Sequence, residues 1–272
     1  MDKQVTKISQ PYLKLQFYFD NADRTPKQSY LQMLNTLVEL GATLSGQGLA
    51  ISGRGIEKLP SRMFGLDSNM QMKRLQFEPS NIDEVLDVAD QILWHTYVYN
   101  AVGLADSSVA EEVTHVDISD NAVLHDYHPV AILSEYKVFK TSKSPFDVNT
   151  QIANARSRVL KRFFALIAKT RPLYGAITSA EALACPTDLS IGTDSLAFKD
   201  FYVDREFIGS QNYSYIVEIY DGAYMEEVGN GIYISTSPFF NPEGIYVDLL
   251  PDLPQRWDEV ARIIGKIGTA NK

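Results

Sequence analysis

Apolar residues recur at every second position through YLKLQFYF, residues 12–19, ahead of Asp20, and this aromatic-rich alternation predicts a strand. Thr25 followed by Pro26 then reads as a helix N-cap with proline in the first turn. Tyr30, Leu31, Leu34, Leu37 and Val38 return at helical spacing until Gly41 ends the run. The Gly-rich TLSGQGLAISGRG predicts a hairpin-like region, and MKRLQF a further strand. Ser80 opens a second predicted helix, with Asp83 in a capping-box-like position and Ile82, Val85, Leu86, Ala89, Ile92, Leu93 and Thr96 on one face, running down to Gly103. Residues 104–127 are polar and acidic and show no clear period. Strand character returns in HPVAILSEYKVF, and NTQIANARSRVLKRFFALIAKT predicts a long helix that stops before Pro172. Short strands follow in LYGAIT, SLAFKDFYV, GAYMEEV and GIYISTS, while Tyr213 to Tyr220 fits a strand and a helix equally well. Pro254 introduces a last helix, QRWDEVARIIGKIG.

Helices and strands mix without strict alternation. The expected class is therefore α+β, a mixed or antiparallel sheet packed with several helices rather than a regular doubly wound fold. The 272 residues are expected to form a single domain, 1–272, divisible into two sub-lobes at 1–145 and 146–272.

Charge changes this picture more than composition does. The net charge of −9 is distributed in blocks. Between Arg74 and Lys137 there is no Lys or Arg, but there are twelve acids: Glu78, Asp83, Glu84, Asp87, Asp90, Asp106, Glu111, Glu112, Asp117, Asp120, Asp126 and Glu135. From Lys137 to Arg171 nine basic residues face Asp147 alone, and 172–259 return to strongly acidic, with only Lys199, Arg205 and Arg256 as bases. Such blocks steer an oppositely charged partner without setting the fold. No window approaches the roughly 20 apolar residues that a membrane helix needs. The start lacks a signal-peptide core, and the one cysteine, Cys185, has no internal partner, so a cytoplasmic protein is expected.

Three of the four histidines lie in THVDISDNAVLHDYHP: His115, His125 and His128, among Asp117, Asp120 and Asp126. The spacing His115-x-Asp117 with His125-x-x-His128 offers four metal ligands, yet it lacks the regular frame of HExxH or paired CxxC, and a solvated acidic surface is the plainer reading. His95, inside the second predicted helix, reads as a core histidine. GQGLAISGRG lacks the Lys-Ser/Thr of a phosphate loop, and no helix start follows it. Cys185 stands in no nucleophile signature and reads as a small buried residue. Glu226 and Glu227 are adjacent on a predicted strand, so they point to opposite faces and do not form a catalytic pair. In ARSRVLKRFFALIAK the aromatics Phe163 and Phe164 share an apolar stripe with Val159, Leu160 and Ile167, which makes them core anchors rather than base-stacking platforms.

The order PLYGAITSAEALACPTDL, AFKDFYVD, MEEVGNGIYISTSPFFNP, spanning roughly Pro172 to Pro242, resembles the bacterial polymorphic-toxin immunity proteins, most nearly the immunity protein 52 family. The resemblance implies a cytoplasmic α+β protein that binds and neutralises a cognate toxin, with no catalytic motif to transfer. Families of this kind are paired with secreted nucleases, including toxins delivered by type VI secretion. A nuclease site is rimmed by Lys and Arg, and clustered carboxylates suit it. The expected toxin-binding residues are thus Asp106, Glu111, Glu112, Asp117, Asp120 and Asp126. No cofactor, no direct nucleic-acid partner and no membrane partner is expected. Two other readings stay open: a metal-dependent enzyme built on the His115/His125/His128 region, and a structural homo-oligomer, in its simplest form a homodimer, held by its opposite charge blocks.

Overall fold

The computed structural model describes residues 12–44, 49–53, 64–66, 73–77, 83–84, 99–106, 112–118, 126–136, 159–178, 183–189, 200–235 and 253–270. Twelve strands form one antiparallel sheet. They are β1 (Tyr12–Asp20), β2 (Ala42–Leu44), β3 (Leu49–Gly53), β4 (Phe64–Leu66), β5 (Lys73–Phe77), β6 (Tyr99–Asp106), β7 (Glu112–Ile118), β8 (Tyr127–Tyr136), β9 (Tyr174–Thr178), β10 (Asp200–Asp204), β11 (Tyr224–Val228) and β12 (Gly231–Ser235). Their spatial order is β11-β12-β10-β9-β1-β8-β7-β6-β3-β5-β4, with β2 also against β6. The helices are α1 (Pro26–Glu39), α2 (residues 159–170), α3 (Pro186–Leu189), α4 (Arg205–Ile208), α5 (Ser210–Ile219) and α6 (Leu253–Ala270). The class is α+β.

β1 occupies the middle of the sheet, pairing from Tyr12↔Glu135 to Asp20↔Tyr127 on one side and from Lys14↔Thr178 to Tyr18↔Tyr174 on the other. Both of its faces are covered, so its alternation sorts side chains between two cores rather than between core and water. On one face Phe17 stacks on Phe163 of α2 at 5.0 Å between ring centroids, and Phe19 stacks on His128 at 5.5 Å. On the other, Tyr18 stacks on Tyr174 and donates its hydroxyl to the Leu183 carbonyl at 2.9 Å. Gln16 is buried on that second face, and its carbonyl oxygen accepts the Leu183 N–H at 2.9 Å, which removes the cost of burying an amide. The second face is closed by α3, α4, α5 and α6, whose Leu189, Ile208, Ile216, Val260 and Ile264 pack with Ala176, Phe201, Val203, Ile232 and Ile234 of the sheet.

α1 forms where the Thr25–Pro26 signal places it. Thr25 accepts the Gln28 N–H, and Gln28 reaches back to the Thr25 N–H, a complete capping box. The C-terminal carbonyls of α2 are satisfied from α1 and the turn before it: Gln32 donates to Lys169 O at 2.7 Å, and Arg24 donates to Thr170 O at 2.5 Å. An exposed ion pair, Lys169 to Glu39 at 3.0 Å, adds little at such exposure.

The structure differs from the sequence expectations in three places. The second predicted helix does not reach Gly103, because β6 begins at Tyr99 and the residues YNAV that continue the apolar pattern are extended as a strand. The stretch 104–127, read as unpatterned, holds the end of β6 and all of β7. The expected hairpin at TLSGQGLAISGRG is absent: β2 and β3 lie end to end along the same flank of β6, with Ala42↔Asp106 to Leu44↔Leu104 followed by Ala50↔Ala101 to Ser52↔Tyr99. Tyr213 to Tyr220, which fitted two states, lies in α5 and its C-cap. The start of the long helix near Asn149 and the helical face Val85–Thr96 lie outside the described residues.

Gly231 shows how tightly β10 and β12 approach. A Cβ built there falls onto the Val203 carbonyl oxygen and 2.8 Å from the Tyr202 ring. Gly231→Ala is therefore expected to cost about 1–3 kcal/mol or more by overpacking, read as a lower denaturant midpoint with an unchanged slope. An unchanged midpoint would show that the two strands have room to part.

Candidate functional site

Of the three clustered histidines, which the sequence reads as part of a solvated acidic surface, His128 is instead enclosed. His128 lies in β8 opposite Phe19, with no exposed surface. Its Nδ1 is 2.7 Å from Asn21 Oδ1 and its Nε2 is 2.8 Å from Ser29 Oγ. Asn21 Oδ1 only accepts, so Nδ1 carries the proton and the Ser29 hydroxyl donates to Nε2. The polarity Ser29→His128→Asn21 is that of a nucleophile, base and orienter. Ser29, however, is fully buried inside α1, and its hydroxyl is spent on the imidazole. Burial, followed by the charge of Arg24, lowers the His128 pKa from 6.5 to about 4, so the ring is neutral at neutral pH. Both of its nitrogens are engaged, which leaves neither for a metal. The relay ties the turn after β1 to α1 and β8, and Asn21 N–H adds a bond to Asp126 O at 2.8 Å.

The other predicted residues are distributed along the meander β6-β7-β8. Asp106 ends β6 and Glu112 begins β7. Asp117 lies five positions along β7, paired with Ala101 and Ala131, about 17 Å further along the strand at the usual rise. Asp126 is an exposed bend residue just before β8. Glu111, Asp120, His125 and His95 lie outside the described residues, and His115 is placed in β7 opposite Gly103 and Leu133. The described acids of this stretch are thus divided between the end of the meander where β6 stops and β7 starts and the opposite end.

Cys185 is buried in the core beside α3, and its sulfur accepts the Thr187 hydroxyl at 3.1 Å. Asp200 is a buried carboxylate that accepts from Ser235 Oγ at 2.5 Å and from Tyr233 OH at 3.4 Å. Phe163 is buried against Phe17 and Tyr233, as a core anchor should be. Among the described residues, no group of three or more His, Cys, Asp or Glu is arranged to hold a metal ion, and no helix is long and apolar enough to cross a membrane.

A different constellation stands open to solvent at the far end of the sheet. Among the described residues β11 is the last strand of the sheet, and α5 leads into it through the turn Asp221–Gly222. Glu206, Glu218, Asp221, Glu226 and Glu227 are exposed here. Among the described residues Tyr215 and Tyr224 are two of the three large exposed apolar side chains, and they stand on opposite faces of the sheet: Tyr224 is on the face where Tyr233 meets Phe163 and Phe164, and Tyr215 is on α5, which closes the other face. Tyr215 donates to Glu259, and this bond leads the causes that raise its pKa. Tyr224 donates to Glu226 at 3.1 Å, while partial burial and the same carboxylate raise its pKa. Glu226 and Glu227 take opposite sides of the strand, as alternation requires: Glu226 meets Tyr224, and Glu227 lies 3.6 Å from Arg205. Arg205 is stacked over the Tyr213 ring at 4.2 Å. This surface belongs to the second acidic block of the chain. The sequence offers acidic residues 172–259 as a second candidate surface, but it does not show that β11 is at the edge of the described sheet.

No family model, no curated protein and no solved structure matches this chain.

Proposed function

We propose that this chain is a non-catalytic immunity protein that works in the cytoplasm, binding and neutralising a cognate secreted bacterial toxin, with a nuclease as the best-fitting target. The observation that carries this reading is the exposed Tyr224–Glu226 pair on β11, the edge strand of the described sheet, with Glu227 exposed beside it. Glu226 there stands beside Tyr224, and tyrosine is among the residues that anchor protein interfaces. A catalytic rim of Lys and Arg is complementary to such a surface, which speeds encounter and excludes a phosphate substrate. The residue order from Pro172 to Pro242, with its resemblance to the immunity protein 52 family, covers this same part of the chain. The interface is placed first at β11, and the Asp106–Asp126 stretch, whose described acids are spread along the meander, is the other candidate.

The test is co-purification with the product of the adjacent gene, followed by titration at two salt concentrations. The complex is expected to weaken with salt, and the double variant Glu226→Lys, Glu227→Lys to lose at least about 1.5 kcal/mol of binding, roughly tenfold in Kd. A complex that ignores these changes but weakens in Asp117→Ala, Asp120→Ala, Asp126→Ala would move the interface to the meander. Failure to form any complex would remove the immunity reading.

A further inference from the structure

We propose that the free edge of β11 is a docking strand for an extended, lysine- or arginine-bearing protein segment, which adds to the sheet as one more antiparallel or parallel strand. This deepens the proposed function and rests on it for the identity of the partner, though not for the mode of binding.

The main-chain geometry follows from the turn. β11 and β12 are joined by Gly229 and Asn230, with Gly229 at φ +60, the two-residue hairpin that places glycine first. In such a hairpin the residues flanking the turn exchange both hydrogen bonds, so Val228–Gly231 is a bonded pair. The alternation then makes Glu226–Tyr233 and Tyr224–Ser235 bonded pairs as well. Met225 and Glu227 turn their N–H and C=O groups away from β12, and β11 has no further neighbour among the described residues. The edge therefore offers two donors and two acceptors at strand spacing, which is what an added strand requires.

The charges choose the occupant. Glu226 lies on one side of the strand and Glu227 on the other, both exposed. A second copy of β11 brought against this edge would gather four carboxylates around one strand pair, and like charges across a ladder are destabilising. A segment with basic side chains at neighbouring positions instead pairs with both glutamates at once. The exposed Tyr224 ring, next to Glu226, adds an apolar and cation-binding surface on one side.

The experiment uses the full chain and needs no toxin. Amide hydrogen exchange is followed by NMR with a lysine–threonine alternating octapeptide, and with a glutamate–threonine peptide as its counterpart, at low salt. The lysine peptide is expected to slow exchange at Met225 and Glu227 by about tenfold or more at saturation. The double variant Glu226→Lys, Glu227→Lys is expected to lose this protection and to gain it with the glutamate peptide, which a misfolded variant would not do. Equal protection by both peptides on the unaltered chain, or by neither, overturns the proposal. Protection that grows with protein concentration alone overturns it in favour of a second copy. A toxin complex without lysine-peptide protection removes this mode and keeps the proposed function, and peptide docking without a toxin complex does the reverse.

Discussion

Between pH 6.5 and pH 4 the folded protein is expected to lose about 3 kcal/mol of stability through His128 alone. In the unfolded chain an imidazole takes up its proton near pH 6.5, whereas in the fold burial and Arg24 hold it off until about pH 4. Across that window the unfolded state binds the extra proton, so acid favours unfolding. The contribution is complete above pH 6.5, falls as the pH drops, and is gone below about 4. Protonation would put a second proton on Nε2, where the Ser29 hydroxyl already donates, so Ser29 would have to turn and the charge would remain dry beside Arg24. Denaturant melts at a series of pH values measure the slope. His128→Gln keeps an amide in place of the ring and removes the titration, and its stability is expected to vary less with pH over this window. An identical slope in the variant would show that other groups carry the acid sensitivity.

Phe163→Ala is expected to be the most destabilising single truncation in the layer beneath α2, at about 3–5 kcal/mol. Phe163 is fully buried, stacks on Phe17 and meets Tyr233 edge-on at 5.8 Å, so its ring couples α2 to the central strand and to β12 together. Gly175, paired with Phe17, makes room for this stack: a Cβ there would lie 2.8 Å from the Phe17 ring. Phe164 is only partly buried and meets Tyr233 edge-on, so Phe164→Ala is the matched comparison and should cost clearly less. Urea midpoints for the two variants decide it, and equal losses would deny Phe163 its bridging role.

Legibility in the sequence follows how local each cause is. α1 was readable because its cap, its proline and its apolar row lie within a few residues of one another. β1 was readable from alternation, although the covering of both faces was not. β6 was hidden because its start continues the apolar row of the second predicted helix, and β7 because an interior strand that carries Glu112, His115 and Asp117 shows no clear period. The collinear β2 and β3 were hidden because glycine spacing suggests a turn without saying which strand lies alongside. At the candidate site, Ser29 left one trace: it shares the apolar face of α1 with Met33 and Leu37. Its partner is 99 residues away and Asn21 is 107 from the same histidine, so no window of sequence joins them. The acidic end of the sheet was present in the charge count, but its exposure depends on strand order, a property of the whole topology.

The placement of β1 has a consequence for the birth of the molecule. Its neighbours in the sheet are made long after it: β8 starts at Tyr127 and β9 at Tyr174. At about 5–20 residues per second, a ribosome leaves this aromatic strand without its second neighbour for roughly 10–30 s. Pairings of such long range are slow to close, and until they do, the strand offers two bare edges and two apolar faces to whatever is nearby. The central strand is therefore the first of the described strands to be synthesised and among the last to be enclosed, and chains cut short before Tyr174 end with one flank of it still open.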